Sequence, residues 1–290
     1  MSTRKTMAFA PGHISGFFEP VYSSDPQRSG SRGSGINITL GACTEVSVKD
    51  SDQPIIDILI NNTPSEASVT RYALSYLLNN RPLHVVADTH LDLPVSQGFG
   101  MSAAGALSAS LALARILSLS RDEAIKAAHI AEVYYRTGLG DVVASSFGGV
   151  EIRREPGLPP YGLIEHIPGQ FDVVICVVGS ELESKKILSD SVKLNDIAVH
   201  GRYCVKKLLE SPSLKSLFSL SQIFTWKSGL ADKAVIDAIT ASNRYGMASM
   251  CMLGNSVFAV GDTDNLCDTL SQFGNVWVCN VDTTGARIIN

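Results

Sequence analysis

The sequence has 290 residues, enough for one large domain or two of ordinary size. Hydrophobic residues make up 45% and charged residues 18%, which leaves ample material for a buried core. With 24 Lys and Arg against 28 Asp and Glu, the net charge is −4, so the chain has no broad basic surface for nucleic acid or an anionic membrane. The longest apolar stretches, 103–114 and 171–178, are shorter than the ~20 residues of a membrane-spanning helix. We therefore expect a cytoplasmic protein without nucleic-acid or membrane partners.

The six cysteines are scattered along the chain and include no Cys-x-x-Cys pair. That spacing is not typical of a structural zinc site, and a chain of this length needs no disulfide framework. Reduced, mostly buried thiols are the expected state.

The first third of the chain is predicted to be rich in strands. Thr63-Pro64-Ser65-Glu66 combines an N-cap, a first-turn proline and a capping glutamate, which predicts a helix to about Leu78. A Ser- and Gly-rich segment, 23–35, is predicted to form a long hairpin-type loop rather than a linker. The predicted strands are 7–9, 36–40, 44–48, 55–60 and 83–87.

Helices and strands alternate irregularly in the remainder, which predicts an α+β fold. Ser120 and Glu123 form a capping box that opens a helix to about Tyr135. Three prolines and two glycines in 155–162 predict a domain boundary, giving an N-terminal domain of 1–156 and a C-terminal domain of 157–290. Further helices are predicted at 102–117, 190–209 and 231–242, and further strands at 147–152, 171–178, 247–252, 256–260 and 276–280.

A glycine-rich loop precedes the helix at 102–117. Gly98 and Gly100 allow a ligand to approach the backbone closely, and the helix start offers free amide groups and the positive end of its dipole. Ser102 can present its hydroxyl to a phosphate oxygen or a magnesium ion. The pattern favours a phosphate cradle, although such glycines can also simply end a loop before a buried helix.

Two well-known phosphate motifs do not describe this loop. A P-loop requires a lysine that the segment lacks. Gly98-x-Gly100-x-x-Ala103 matches a dinucleotide fingerprint superficially, but the acidic residue about twenty positions later, Asp122, opens a helix instead of ending a strand.

Three motifs in order resemble those of the GHMP small-molecule kinases. Pro94-x-x-x-Gly98-x-Gly100-x-Ser102-Ala103-Ala104 is similar to the central signature of that superfamily. The segment 10–13, Ala-Pro-Gly-His, resembles its opening strand motif, and 246–259 occupies the place of its third, glycine-rich motif. A histidine replaces the usual lysine of the first motif and most glycines of the third are lost, which weakens a mevalonate or galactose assignment. These departures, and the Ser- and Gly-rich segment 29–35, resemble the archaeal pantoate kinase family.

The resemblance spans the whole chain and implies both fold and chemistry. It implies an N-terminal domain like ribosomal protein S5, with a left-handed βαβ crossover, and a ferredoxin-like C-terminal domain, with ATP bound between them. It also implies transfer of a phosphoryl group from ATP, with Mg²⁺ as cofactor, to the primary hydroxyl of (R)-pantoate in coenzyme A biosynthesis. The predicted ATP-phosphate contacts are Pro94, Gly98, Phe99, Gly100, Met101, Ser102, Ala103 and Ala104.

Three residues are candidates for the chemistry itself. The resemblance implies that Ser102 and Glu132 hold the metal ion and that Asp141 orients or deprotonates the attacking hydroxyl. From the residues alone, Glu132 lies with His129 and Arg136 on the polar side of a helix, which is more often a solvated face. Asp141 alone is equally compatible with an ordinary turn residue.

A carboxylate-bearing substrate needs a cation and hydroxyl partners. Arg153 is the predicted bidentate partner, although Arg28 and Arg244 are rivals for that role. The other predicted substrate contacts are His13, Ser29, Ser31 and His129.

Several alternatives remain open from the sequence. The chain could act on another acceptor of the superfamily, such as homoserine, shikimate or mevalonate. It could instead bind a nucleotide or metabolite without turnover, although a pure binder has no need of Asp141. An oligomeric interaction module is a weaker option, and the assembly state stays open, with a homodimer as one choice.

Overall fold

The computed structural model describes residues 3–182, 188 and 190–289. The helices are α1 (Ser68–Leu78), α2 (Met101–Ile116), α3 (Arg121–Tyr135), α4 (Asp141–Phe147), α5 (Ser191–Glu210), α6 (Leu214–Ser228), α7 (Lys233–Ser242) and α8 (Thr263–Leu270). The strands are β1 (Arg4–Val21), β2 (Gly30–Asp50), β3 (Ile55–Ile60), β4 (Thr63–Pro64), β5 (Leu83–Leu91), β6 (Val150–Glu155), β7 (Leu163–Ile167), β8 (Asp172–Val177), β9 (Gly246–Met250), β10 (Ser256–Gly261), β11 (Asn275–Asn280) and β12 (Arg287–Ile289). The predicted α+β class is confirmed.

The larger sheet is built around the long antiparallel hairpin of β1 and β2. Its main path runs β12-β1-β2-β5-β3-β4. Strand β6 pairs with the N-terminal part of β2, and β7 pairs with β6. Strands β3 and β5 are parallel and α1 connects them, so this unit is the βαβ crossover that the resemblance implied. Helix α2 packs on the hairpin and is almost entirely buried, because its alanines let the helix approach the strands closely.

The smaller sheet has the strand order β11-β8-β10-β9, and all of its pairs are antiparallel. Helices α5, α6 and α7 connect β8 to β9, and α8 connects β10 to β11. This βαββαβ arrangement is the ferredoxin-like fold that the resemblance implied. Strands β7 and β12 follow the proline-rich segment yet pair in the larger sheet, and the division at residue 156 remains a prediction.

Some predicted elements are correct because their determinants are local. Ser120 accepts a hydrogen bond from the backbone N–H of Glu123, and the Glu123 carboxylate accepts one from the backbone N–H of Ser120. The predicted capping box of α3 is therefore confirmed. Strand β3 has the predicted bounds, and α5 begins after the Asp190 cap within one residue of its predicted start.

Other predictions are wrong because tertiary pairing overrides local preference. Thr63 does not cap α1: Thr63–Pro64 pairs with β3 instead, and the helix begins at Ser68 after a left-handed Ala67. The predicted loop at 23–35 ends earlier, since residues from Gly30 onward pair with β1. Residues 36–40 and 44–48 belong to one strand rather than two, and the predicted strand start at 147 is the end of α4.

None of the helices in the described ranges combines the length and apolar character of a membrane span. All six cysteines are free thiols, and four of them are buried. Burial raises the pKa of Cys176 to about 11 and the pKa of Cys204 to about 12, so these thiols stay protonated.

Candidate active site

A cavity of about 240 Å³ opens where the loop before α2, the loop before α4 and the segment after β9 meet. Both loops precede a helix, so free backbone N–H groups lie at two sides of the cavity. The lining residues are Ser15, Phe18, Ser31, Val95, Ser96, Gly98, Phe99, Gly100, Met101, Ser102, Ala103, Glu132, Thr137, Gly138, Leu139, Gly140, Asp141, Leu188, Met252 and Leu253.

The glycine loop has the backbone that its sequence predicts. Gly98 and Gly100 have φ of 78° and 65°, the left-handed region in which glycine is unstrained. Gly100 is the N-cap of α2 and offers no side chain of its own to the free amides of the first turn. The backbone N–H of His13 donates to the carbonyl of Phe99 at 2.9 Å, which fixes the loop to β1.

Residues of the third motif pack against the other side of this loop. A Cβ at Gly98 would lie 2.8 Å from the carbonyl oxygen of Cys251 and 2.9 Å from that of Met252. A Cβ at Gly254 would overlap the backbone of Gln97. Glycine is therefore needed at both positions because the two backbones are in direct contact.

Glu132 is buried beside the start of α2, which rules out the solvated-face interpretation of its helix. Its Oε1 accepts hydrogen bonds from the Ser102 hydroxyl at 3.2 Å and the Thr137 hydroxyl at 2.8 Å. Burial first, and the nearby charge of Asp141 second, raise the pKa of Glu132 to about 7. Gly138 separates the two carboxylates, since a Cβ there would touch oxygens of both Glu132 and Asp141.

Asp141 begins α4 and contacts His13, which is completely buried on β1. Nδ1 of His13 lies 2.6 Å from Oδ1 of Asp141, and Nε2 of His13 lies 3.0 Å from Oε1 of Glu151. Burial opposes charge on Asp141, but the hydrogen bond and charge of His13 outweigh it, and the pKa of Asp141 is lowered. Burial likewise opposes charge on His13, yet Glu151 and Asp141 together raise its pKa.

Arg153 is buried behind His13 instead of projecting into the cavity. Its Nη1 donates to Oε1 of Glu151 in a short ion pair, and its Nη2 lies 3.1 Å from the Ser15 hydroxyl. Its Nε has no hydrogen-bond partner among the described residues. A Cβ at Gly140 would lie 2.7 Å from this Nε, so a glycine is needed to admit Arg153.

The structure brings most of the predicted site residues together, but not all of them. Ser31 lines the cavity, whereas Ser29 bonds to Ser23 within the loop between β1 and β2. His129 is also remote from the cavity lining: its Nε2 lies 3.1 Å from the carbonyl of Pro26 and 3.0 Å from that of Ser29. His129 therefore supports the loop that leads to Ser31. Pro94 and Ala104 do not line the cavity either.

Sequence reasoning missed the residues that complete the site from a distance. Glu151 is two positions before Arg153 on β6, and Ser15 is two positions after His13 on β1. Because side chains two apart on a strand share a face, this spacing was the available signal. Thr137, the second hydroxyl on Glu132, had no local signal beyond its place in the loop.

The chain is similar to known proteins along nearly its whole length. The family model of the GHMP kinases N terminal domain matches residues 68–149. Pantoate kinase of Methanocaldococcus jannaschii is 31% identical over 94% of this chain and 99% of its own length. Pantoate kinase of Methanospirillum hungatei is 33% identical over 100% of this chain and 98% of its own.

Solved structures agree with these relatives. One described as a phosphotransferase related to the CoA biosynthesis pathway has a TM-score of 0.90 and 28% identity, with 99% of both chains covered. Homoserine kinase from Cytophaga hutchinsonii has a TM-score of 0.73 at 16% identity, covers 98% of this chain and 97% of its own, and supports the fold alone. The chain belongs to the pantoate kinase family of GHMP kinases.

Proposed function

We propose that the chain transfers the γ-phosphoryl group of ATP to the primary hydroxyl of (R)-pantoate, giving 4-phosphopantoate on the route to coenzyme A. One observation carries the proposal: the carboxylate of Asp141, fixed by His13, faces the same cavity as the glycine loop at the start of α2. A backbone suited to bind phosphate and a carboxylate suited to accept a hydrogen bond from the substrate hydroxyl thus face the same cavity. Because ATP is the donor, we also propose that the chain works in the cytoplasm.

The triphosphate of ATP would lie on the free amides at the start of α2. The left-handed Gly98 and Gly100 keep the backbone accessible there, and the helix dipole favours an anion. We assign Phe99, Met101, Ser102 and Ala103 to the same cradle, since all line the cavity. Pro94 and Ala104 would shape the loop from outside.

A magnesium ion fits the residues around Glu132. Among the described residues, the charged side chains that line the cavity are Glu132 and Asp141, both acidic, so a polyanionic ligand needs a cation there. Ser102 and Glu132 would supply a hydroxyl and a carboxylate oxygen, a set typical of Mg²⁺ with phosphates and water. Glu132 must lose its proton for this, and the raised pKa makes that step sensitive to pH near 7. When bound, the ion supplies neutralisation of the phosphate charge.

Asp141 would accept a hydrogen bond from the primary hydroxyl of the substrate and orient the hydroxyl oxygen toward the γ-phosphorus. That oxygen forms the new P–O bond, the bond to the β,γ-bridging oxygen of ATP breaks, and the hydroxyl proton passes to Asp141 and then to water. The lowered pKa keeps Asp141 ionised but makes it a weak base. Orientation is therefore its larger contribution.

The substrate carboxylate would lie at the side of the cavity where Ser31 and Ser15 are found. Arg153 lies directly behind this wall. Its Nε, which has no hydrogen-bond partner in the part of the chain that the structure describes, is the donor that a bound carboxylate would reach after a small shift of the loop at Gly140. His13 would act through Asp141. We propose that Ser29 and His129 act by supporting the loop that carries Ser31, since they bond within it.

An ADP-release assay with ATP and Mg²⁺ tests the proposed function. Pantoate, pantothenate, homoserine, shikimate and mevalonate would be supplied in turn, and we expect turnover on pantoate alone. Turnover on a different acceptor would overturn the substrate assignment and keep the kinase chemistry. ATP binding without turnover on any of the five would contradict the proposal.

A further inference from the structure

We propose that Glu151, on β6, is a positioning residue that holds His13 as a cation and thereby fixes the orientation and charge of Asp141. Glu151 touches neither the cavity nor Asp141, so it would act entirely through His13. The inference rests on the proposed function, in which Asp141 orients the attacking hydroxyl.

Four ionisable groups lie in contact in a row: His13, Glu151 and Arg153 are buried, and Asp141 is partly exposed at the cavity. Asp141 contacts one ring nitrogen of His13, and Glu151 contacts the other at 3.0 Å. Arg153 donates to the same Glu151 oxygen, Oε1, which leaves Oε2 of Glu151 without a partner among the described residues. Two carboxylates and two bases alternate along this row of side chains, so the row is electrically balanced when all four are charged.

His13 can satisfy both carboxylates only when both of its ring nitrogens carry hydrogen. A neutral imidazole has one N–H and one lone pair, so one of the two contacts would place a lone pair against a carboxylate oxygen. Among the residues that the structure describes, the remaining charged side chain at His13 is Arg153, whose Nη1 lies 3.2 Å from Nε2. β2 approaches the ring with Gly35, and the glycine loop approaches His13 with the backbone of Phe99 and Gly100. The raised pKa of His13 agrees with this arrangement.

The negative charge of Glu151 thus stabilises the protonated form of His13 at a fully buried position. Without its charge, Arg153 and a protonated His13 would face each other at 3.2 Å with no anion between them. His13 would then release its proton at lower pH. Asp141 would lose the positive charge beside it and part of its orientation.

The Glu151→Gln variant tests this role because it removes the charge and keeps the shape. We expect kcat on pantoate to fall by about ten- to hundred-fold, with KM for pantoate changed by less than about threefold, because a small misplacement of the reacting oxygen has this effect. The basic limb of the kcat/KM profile would move to lower pH by about one unit or more. Glu165→Gln is the matched control: Glu165 lies on the neighbouring strand, pairs with Arg154 at the surface, and its loss would leave kcat unchanged.

An NMR titration of the His13 ring in the ligand-free protein tests, without any turnover, whether Glu151 holds His13 as a cation. In the parent chain the ring would stay protonated well above the pH at which it deprotonates in Glu151→Gln. If the Gln variant does not fold, Glu151→Asp preserves the charge balance but withdraws the acceptor by one methylene. We expect that variant to fold and to lower kcat with KM retained.

The outcomes separate this inference from the proposed function. Unchanged His13 titration, kcat and pH profile in a folded Glu151→Gln variant, with only lower thermal stability, would overturn the positioning role. If the parent chain does not turn over pantoate, the proposed function fails, and a shifted His13 titration would still show that Glu151 holds the cation.

Discussion

Nδ1 of His13, on β1, lies 2.6 Å from Oδ1 of Asp141, the first residue of α4, across 128 positions of sequence. Two register shifts in the β1–β2 pairing flank His13, between Pro11 and Gly12 and between Ser15 and Phe17. Such bulges bend a strand and change the direction of its side chains. The irregular part of β1 therefore turns His13 toward the start of α4, where the carboxylate is held at the cavity.

Replacing Asp141 with Asn removes the charge but leaves an oxygen that can still accept the hydrogen bond from His13. We expect a folded protein whose kcat on pantoate is lower by about 10²–10⁴, the range for a lost acid–base or orienting group. Steady-state kinetics of ADP release would measure it. Asp122→Asn, at an exposed first-turn position of α3, is the control and would keep parental kcat. Parental activity in Asp141→Asn would refute its assigned role.

Replacing Glu132 with Gln should raise stability at alkaline pH. In the folded chain Glu132 keeps its proton up to about pH 7, while in the unfolded chain it does so only up to about 4.5. The folded state therefore binds more protons in this window, and the parent loses stability as pH rises through it. We expect Glu132→Gln to exceed the parent at pH 8 by up to about 3 kcal/mol, because each unit of pKa shift corresponds to about 1.36 kcal/mol.

Urea unfolding at pH 5 and pH 8 would measure this difference, with Glu165→Gln as the exposed control. The same Glu132→Gln variant should lose Mg²⁺-dependent turnover, since a neutral amide does not supply the negative charge that the carboxylate brings to the metal ion. Equal stability differences at both pH values would contradict the burial of a proton-binding Glu132.

Replacing Gly98 with Ala should damage the glycine loop more than its backbone conformation alone explains. A left-handed alanine costs about 1–2 kcal/mol anywhere. At Gly98 the new Cβ would also meet the carbonyls of Cys251 and Met252, whereas at Gly229, with φ of 63°, it would meet open space. We expect Gly98→Ala to lose clearly more unfolding free energy than Gly229→Ala and to raise KM for ATP. Equal losses, with KM for ATP unchanged, would contradict the contact.

Replacing His129 with Leu removes the donor that serves the carbonyls of Pro26 and Ser29. Ser29 is buried, and leaving a buried carbonyl unpaired costs about 1–3 kcal/mol, so the loop between β1 and β2 should loosen. Hydrogen exchange of the loop amides would accelerate in His129→Leu and much less in His129→Gln, which keeps a donor. If KM for pantoate rises while exchange is unchanged, His129 contacts substrate rather than the loop.

The sequence predicts those parts of the fold that depend on neighbouring residues. The capping box at Ser120 is such a part, and so is the left-handed loop at Gly98 and Gly100, because glycine is the residue that adopts it freely. Helix α6 was missed although Ser213 caps it, because its serine-rich turns lack a capping glutamate. The helix predicted from Thr63 ends at Leu78 as expected, but its predicted start is wrong because Thr63 and Pro64 pair with β3.

The candidate site also contains residues that sequence motifs predict and residues that only tertiary contacts bring together. Ser102 and Asp141 follow from motifs of the GHMP kinases, and their position at one cavity agrees with that resemblance. The contact of Glu151 with His13 joins residues 138 positions apart, and it exists only because β6 pairs beside β2. Nothing local indicates that Arg153 is buried against Glu151 rather than exposed to substrate.

Phosphorus NMR of the product tests the central claim most directly. The chain would be incubated with ATP, Mg²⁺ and (R)-pantoate, and proton-coupled ³¹P spectra would be recorded. We predict a new phosphomonoester resonance split into a triplet by the two methylene protons of the primary carbon, appearing as the γ-phosphate of ATP disappears. A doublet, which indicates the secondary hydroxyl, or inorganic phosphate without any ester would contradict the account.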